Sequence, residues 1–496
     1  TSLARAEEIG RTIRAIASAS KNVRVVCHGD GYDNRTIWLA AEGCDELWLS
    51  PSGTVSSVGI AAQLMFGRQL LDDLSVGVDF LQVGRYKGAS EPFTRNEASP
   101  EARSSLAGTL RDLRQAWVSG IEKRRGKDAA SLGLEDGPHS ADKAKELGLI
   151  DRVGYFADAR KALLRHSQVD GYVPYFGGSS PQSPKIHGLL RTLSGAQAIN
   201  GPHIAVLRGV GAITMRPSQS LLGAQSGIDE QSLSRKLREL RHDPHARAVV
   251  LRIDSPGGSA LASDLLWRNL MDLRKEKPLV ISVGAMAASG GYYLAAAGNH
   301  IFAERSSIIG SIGVVAGKFT FVKSLERLGI HVETVSPAKD GGVRALHASA
   351  LMPWDAATRA KMKESIESTY DLFLSRIAKG RGVGVEAIAP AAEGRLMGGL
   401  VARDAGLIDE LGGLGDAINK ARELAKVGDD VPVEIVDEPE SLLDVLSQGG
   451  EARTPAHAAR RMPMLKHEAE AFLASVAPLL DSETILTTLP FALVLR

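Results

Sequence analysis

Three observations predict an α/β fold with largely parallel strands. Short β-branched apolar runs alternate with amphipathic helical stretches, the order that parallel pairing requires. Similar stretches recur at an offset of about 255 residues, Leu39 standing against Leu294. The apolar run from Pro278 to Val283 passes through Gly284-Ala285-Met286-Ala287-Ala288-Ser289-Gly290-Gly291 into an alanine-rich stretch, so Ser289 stands where a strand becomes a helix.

Residues 2–20 carry an amphipathic helical pattern, 21–27 a short strand and 38–43 the end of another helix. A strand over 46–49, a Ser/Gly turn region over 50–59 and a helix around 63–74 follow. Residues 78–83 form a strand that delivers Arg85-Tyr86-Lys87-Gly88 to a loop. A long helix is expected over 100–125, and A-K-E-L-G-L-I-D at 144–151 closes the unit. Composition then shifts to Tyr, Pro, Gly and Ser over 172–184, as in a linker. Beyond it come a strand at 204–207, a helix at 230–241, and a strand at 248–253 that ends in Asp254-Ser255-Pro256-Gly257-Gly258-Ser259. The next helix places Ala262, Leu266, Leu270 and Leu273 on one face.

The repeat divides the chain. L-A-A-E-G-C-D-E-L-W-L-S-P from Leu39 parallels L-A-A-A-G-N-H-I-F-A-E-R from Leu294, S-S-V-G at 56–59 parallels G-S-I-G at 310–313, and the 144–151 motif parallels A-R-D-A-G-L-I-D at 402–409. A tandem duplication follows: residues 1–165 form a first repeat, 166–200 a linker, 201–425 a second repeat and 426–496 a tail. The tail holds a strand at 431–436 and an amphipathic helix at 462–480, read as packing or oligomer contacts. Ser289 falls on Asn34 in the first copy, so only the second copy keeps the candidate nucleophile. Thr1 falls opposite Pro256, leaving the first copy without a counterpart of residues 204–254; a longer natural chain, with a membrane anchor ahead of Thr1, is expected.

Composition narrows the function classes. A hydrophobic content of 44% with 24% charged residues is that of a folded chain, and a net charge of +1 gives no argument for nucleic acid. Cys27 and Cys44 are not at Cys-x-x-Cys spacing and have no zinc-site company, so they leave the compartment open. His28, Asp30 and Asp33 read as a polar turn after a strand rather than a metal cluster. No run approaches the roughly 18 apolar residues that a membrane helix needs.

At a strand-to-helix turn the N–H of the next residue can point at a developing oxyanion, and the helix start adds partial positive charge. Small neighbours at 287, 288, 290 and 291 leave Ser289 approachable. The same run also suits a small-residue packing crossover with no chemistry. A nucleophilic serine needs a base. His300, His331 and His347 have no clearly placed acidic partner, and the alternative is a lysine that burial keeps neutral.

Four motifs in order, R-Y-K-G-A-S-E-P-F at 85–93, D-S-P-G-G-S at 254–259, G-A-M-A-A-S-G-G-Y-Y at 284–293 and G-S-I-G at 310–313, resemble the long, duplicated form of the signal peptide peptidase A family, also called protease IV. The resemblance runs from residue 1 to about 425. It implies Ser289 as nucleophile, Lys87 as general base, Ser311 as the residue that orients the lysine, and Gly258 with Gly290 as oxyanion donors. It also implies tandem Clp protease/crotonase-like domains built of stacked ββα units, with no metal or organic cofactor. The family works on apolar peptides, above all signal peptide remnants. A homo-oligomer, a tetramer in the family pattern, is implied, attached to the bacterial inner membrane through a segment absent from this chain and facing the periplasm.

Rival readings stand beside this one. A crotonase-like acyl-CoA enzyme would also use glycine-loop oxyanion holes, and a non-catalytic scaffold would bind apolar peptides without cutting them. Ser259 is a second serine in a glycine loop, placed like a helix N-cap. Lys339 falls opposite Lys87 in the repeat, but Asp340 beside it favours the charged ammonium.

Overall fold

The computed structural model describes residues 2–19, 23–167, 201–215, 227–333, 346–436 and 485–487. The expected linker, the tail helix at 462–480 and Lys339 lie outside the described residues. The chain forms two compact units, and residues 60–115, which lie within the expected first repeat at 1–165, group with the second unit.

In the first unit the strands Val26–Gly29, Glu46–Leu49 and Arg152–Val153 form a parallel sheet. The helix Leu3–Ser18 packs on the helix Asn34–Gly43. Their crossing is close because Gly10 and Gly43 face each other's helix; a Cβ at Gly10 would lie 2.8 Å from the Glu42 side chain. Cys27 and Cys44 are joined as a disulfide with Cα atoms 5.9 Å apart. The sequence left these two cysteines unassigned, because a 17-residue separation says nothing of which Cβ atoms converge.

The second unit carries the candidate site. The elements that frame the site are β1 (Gly77–Val83), β2 (His203–Val210), β3 (Ile213–Thr214), β4 (Ala246–Ser255), β5 (Gly258–Ser259), α1 (Ala260–Glu276), β6 (Leu279–Ala288), α2 (Gly290–Ala295), β7 (His300–Ala303), β8 (Ile308–Gly310), β9 (Val314–Thr320), β10 (Leu396–Gly398), β11 (Glu410–Leu411) and β12 (Ile485–Thr487). One sheet runs β10–β8–β6–β4–β2, with β7 also on β6 and β11 on β7. Its central strands β4 and β6 pair in parallel, Val249 against Leu279 through Ile253 against Val283. Val249, Val250, Leu251, Ile253, Val280, Ile281 and Val283 are all buried, as expected of strands covered on both faces. Each such side chain contributes about 1.5–3 kcal/mol by leaving water. A second sheet starts at the strand Ile228–Asp229 and follows the path β3–β5–β12–β9–β1.

Seven residues of β1 pair antiparallel with β9, from Val83 opposite Val314 to Gly77 opposite Thr320. Phe80 and Phe93 stack at 5.7 Å and pack with Val315, which fixes the segment carrying Lys87 to the second unit. The helix expected around 63–74 is shorter, Arg68–Asp73, with no buried residue. The long helix Pro100–Arg125 has the expected bounds.

The two units share one half-buried polar device. In the first, the Leu47 N–H donates to Asp151 Oδ2 at 2.7 Å while Arg125 Nη2 holds Oδ1 at 2.7 Å. In the second, the Ile301 N–H donates to Asp409 Oδ2 at 2.8 Å while Arg381 Nη2 holds Oδ1 at 2.6 Å. Both aspartates end the G-L-I-D motifs of the repeat.

Candidate active site

β6 ends at Ala288 and α2 begins at Gly290, so Ser289 is the turn between them. Its backbone is left-handed, φ 54° and ψ −116°, a strained conformation for a residue with a Cβ and one that aims a side chain away from both elements. Two backbone bonds hold the strain: the Ser289 N–H donates to the Gly310 carbonyl at 2.7 Å, and the Tyr293 N–H donates to the Ser289 carbonyl at 2.9 Å. The strand partnership of Ala288 with Gly310 brings the G-S-I-G loop beside the turn.

Lys87 reaches this turn from the loop after β1. Its Nζ lies 2.8 Å from Ser289 Oγ, 3.0 Å from Ser311 Oγ and 3.0 Å from the Ser311 carbonyl oxygen. Lys87, Ser289 and Ser311 all have 0% exposure, so the small neighbours of Ser289 do not leave it open to solvent here as the sequence suggested. Among these contacts no carboxylate faces the amine, and burial pushes the ammonium well below the ordinary lysine pKa. Glycine makes room for the side chain: a Cβ at Gly313 would lie 3.1 Å from Lys87 Cδ. Ser311 is itself left-handed, φ 54°, and its N–H donates to the Arg395 carbonyl at 2.5 Å.

The D-S-P-G-G-S loop borders the same turn, since α2 packs against β5. Gly257 has φ 101°, and a Cβ at Gly258 would meet the Ile213 carbonyl at 2.1 Å, so both glycines are required by the backbone path. Ser255 Oγ donates to the Gly211 carbonyl at 2.7 Å and accepts from the Gly257 N–H at 3.2 Å, fixing the loop. Gly290 follows Ser289 as the first residue of α2. Ser259 Oγ accepts from the Ala262 N–H at 3.2 Å and caps α1; it is the separate serine of the loop. Among the expected site residues the structure thus brings Ser289, Lys87 and Ser311 into hydrogen-bonding contact and sets Gly258 and Gly290 on the elements beside them.

Two residues near Lys87 escaped the sequence reading: Gly394, where a Cβ would lie 2.6 Å from Lys87 N, and Arg395, whose guanidinium lies over the Tyr86 ring at 4.3 Å. Among the described residues no group of His, Cys, Asp and Glu could hold a metal ion.

An α/β protein with a buried serine–lysine pair at a strained strand-to-helix turn is the class that this geometry defines. The chain belongs to peptidase family S49: the family model matches residues 17–170 and 271–428. It is similar to the chloroplastic serine protease SPPA of Arabidopsis thaliana, 32% identical over 82% of this chain and 59% of that protein. It is also similar to Protease 4 of Salmonella typhi, 33% identical over 84% and 66%, and to Protease 4 of Haemophilus influenzae, 30% identical over 86% and 68%. The chain therefore spans about two thirds or less of the length of these relatives.

Proposed function

We propose that this chain is a serine endopeptidase with a Ser289–Lys87 dyad, acting on apolar peptides such as signal peptide remnants. The observation that carries the reading is the 2.8 Å approach of a wholly buried lysine amine to the serine on the strained turn. A neutral amine has two N–H donors and one lone pair. The donors match the carbonyl and hydroxyl oxygens of Ser311, and the lone pair is left for the Ser289 O–H.

Lys87 takes the Ser289 proton as the oxygen attacks a peptide carbonyl carbon. A C–O bond forms, and the carbonyl electron pair moves to the oxygen, which the Gly258 and Gly290 N–H groups receive. Collapse breaks the C–N bond, and the lysinium gives its proton to the leaving amine. Water, losing a proton to Lys87, attacks the acyl-enzyme; the ester C–O bond breaks and Ser289 recovers the proton. No step needs a metal or organic cofactor.

Support for an extended peptide comes from the second sheet. There β12 lies antiparallel to both neighbours, Thr487 opposite Gly258 and Leu486 opposite Val315. A slot that holds one extended segment beside the glycine loop recognises backbone first and side chains second. The shared motifs and the paired Asp151 and Asp409 devices support a tandem duplication of a Clp protease/crotonase-like unit. The Cys27–Cys44 disulfide suits an oxidising compartment such as the periplasm. No helix among the described residues is long and apolar enough to cross a membrane. Homo-oligomerisation, a tetramer in this reading, is tested by light scattering at assay concentration.

The direct test is intact-mass analysis after exposure to an apolar peptide ester or a serine-reactive phosphonate. One adduct per chain, mapped to Ser289, is expected. Unlabelled protein, or an adduct on Ser259, overturns the reading. Acyl-CoA turnover that survives Ser289→Ala would instead favour a crotonase-like enzyme.

A further inference from the structure

The backbone of Lys87 is held by a loop more than 300 positions away in sequence. The Tyr86 N–H donates to the Glu393 carbonyl at 2.8 Å, and a Cβ at Gly84 would lie 2.8 Å from the Glu393 backbone. Gly394, φ 81°, sits directly on the lysine: a Cβ there would lie 2.6 Å from Lys87 N and 2.7 Å from its Cα and Cβ. The Gly394 N–H donates to the Ile312 carbonyl at 2.7 Å, and the Arg395 carbonyl accepts from the Ser311 N–H at 2.5 Å. One short loop therefore touches the residues before and at the amine-bearing position and also the residue that receives the amine.

The Arg395 side chain closes the arrangement. Its guanidinium lies over the Tyr86 ring at 4.3 Å, and its Nη2 donates to the Tyr86 hydroxyl at 3.1 Å. Arg85 lies against the same ring at 4.8 Å, donates to the hydroxyl at 2.8 Å, and pairs with Glu393 at 3.7 Å. The Glu393 N–H donates to the Tyr370 hydroxyl at 3.2 Å. Arg85 and Glu393 are exposed and Arg395 is half-buried, so Arg395 is the inner member of the clamp. A half-buried guanidinium stacked on tyrosine is worth more than an exposed one.

We propose that the loop at 393–395 splints Lys87 against Ser289, with Arg395 as a positioning residue that acts through the Tyr86 ring and the Ser311 backbone. The proposal rests on the dyad reading above. Arg395 touches neither reacting oxygen; its side chain fixes the Tyr86 anchor on the Lys87 side, and its backbone carbonyl fixes the Ser311 side. A displacement of about 1 Å at such a site can cost about a hundredfold in turnover.

The test uses the full chain with Arg395→Met, Arg395→Lys and Tyr86→Leu, assayed on an apolar peptide amide across pH. Arg395→Met is expected to lose about tenfold or more in kcat, with KM within about twofold. Its acid limb should move to higher pH, because a loosened amine regains water and holds its proton longer. Arg395→Lys keeps a cation over the ring and should recover part of the kcat and of the pH shift. Tyr86→Leu, which removes the ring, should reproduce Arg395→Met and keeps the test open if that variant fails to fold. Unchanged kcat and acid limb in folded Arg395→Met or Tyr86→Leu overturns the splint, as does a loss confined to thermal stability. Phosphonate labelling separates the two layers: wild type that does not label at Ser289 removes the dyad and the splint together, whereas labelled wild type with a normal Arg395→Met profile removes the splint alone.

Discussion

The turn at Asn34 in the first unit and the turn at Ser289 in the second stand at matching places in the repeat, yet they are built for different ends. Asn34 is the first residue of a regular helix, capped by Asp33, whose carboxylate accepts from the Arg35 and Thr36 N–H groups. Both ends of its amide are held by the loop at 56–59: Oδ1 accepts from the Val58 N–H at 3.0 Å and Nδ2 donates to the Gly59 carbonyl at 2.7 Å. Ser289 instead lies outside its helix at positive φ, and the loop at 310–313 holds it by the backbone, leaving Oγ to an amine. Ser57, the repeat partner of Ser311, has a buried hydroxyl without a hydrogen-bond partner among the described residues. The same scaffold thus serves as a regular, Asp33-capped helix start in one unit and as a strained, amine-facing turn in the other. In the proposed mechanism reactivity needs the strain and the lysine together, and neither follows from the turn's small-residue sequence alone.

The largest break in that comparison is at the amine. Lys87→Met keeps length and removes the proposed base; peptide amide turnover should fall by at least about a hundredfold. The mirror-image change, Asn34→Ala, should leave turnover unaltered. It leaves the Val58 N–H and the Gly59 carbonyl without their partner, at a cost of about 1–3 kcal/mol in denaturant unfolding. If Asn34→Ala lost activity without losing stability, the first turn would have a role beyond packing.

A smaller effect sharpens the contrast through pH. Unfolded, Lys87 binds a proton below about pH 10.4; folded, burial holds that proton off until a lower pH. The unfolded chain therefore binds more protons in the window between the two values, and stability rises with pH across it. Lys87→Met should be more stable than wild type at neutral pH, with the gap closing as pH approaches the ordinary lysine value. Parallel stability curves for the two proteins would mean that Lys87 folds fully charged.

Much of the second turn was legible because its chemistry is local. Gly-rich sequence between an apolar run and an alanine-rich one marks Ser289, and Asp254 to Ser259 marks the loop beside it. The lysine was legible only through a resemblance in its flanking motif, since 202 residues separate it from the serine it meets. Nothing local announced that residues 60–115 leave the first repeat to pack with the second unit. That placement comes from seven β1–β9 pairs and the Phe80, Phe93 and Val315 cluster, all long-range. Gly394 and Arg395 carried no local signal for the same reason: one packs on the Lys87 backbone and the other on the Tyr86 ring, both distant in sequence.

The central claim, that Ser289 is the reacting atom's owner, is met most directly by turnover of an apolar peptide amide with folded Ser289→Ala beside Ser259→Ala. The account predicts that Ser289→Ala falls to background while Ser259→Ala, which loses only a helix cap of about 0.5–2 kcal/mol, retains most of its turnover. Retained turnover in Ser289→Ala would contradict it.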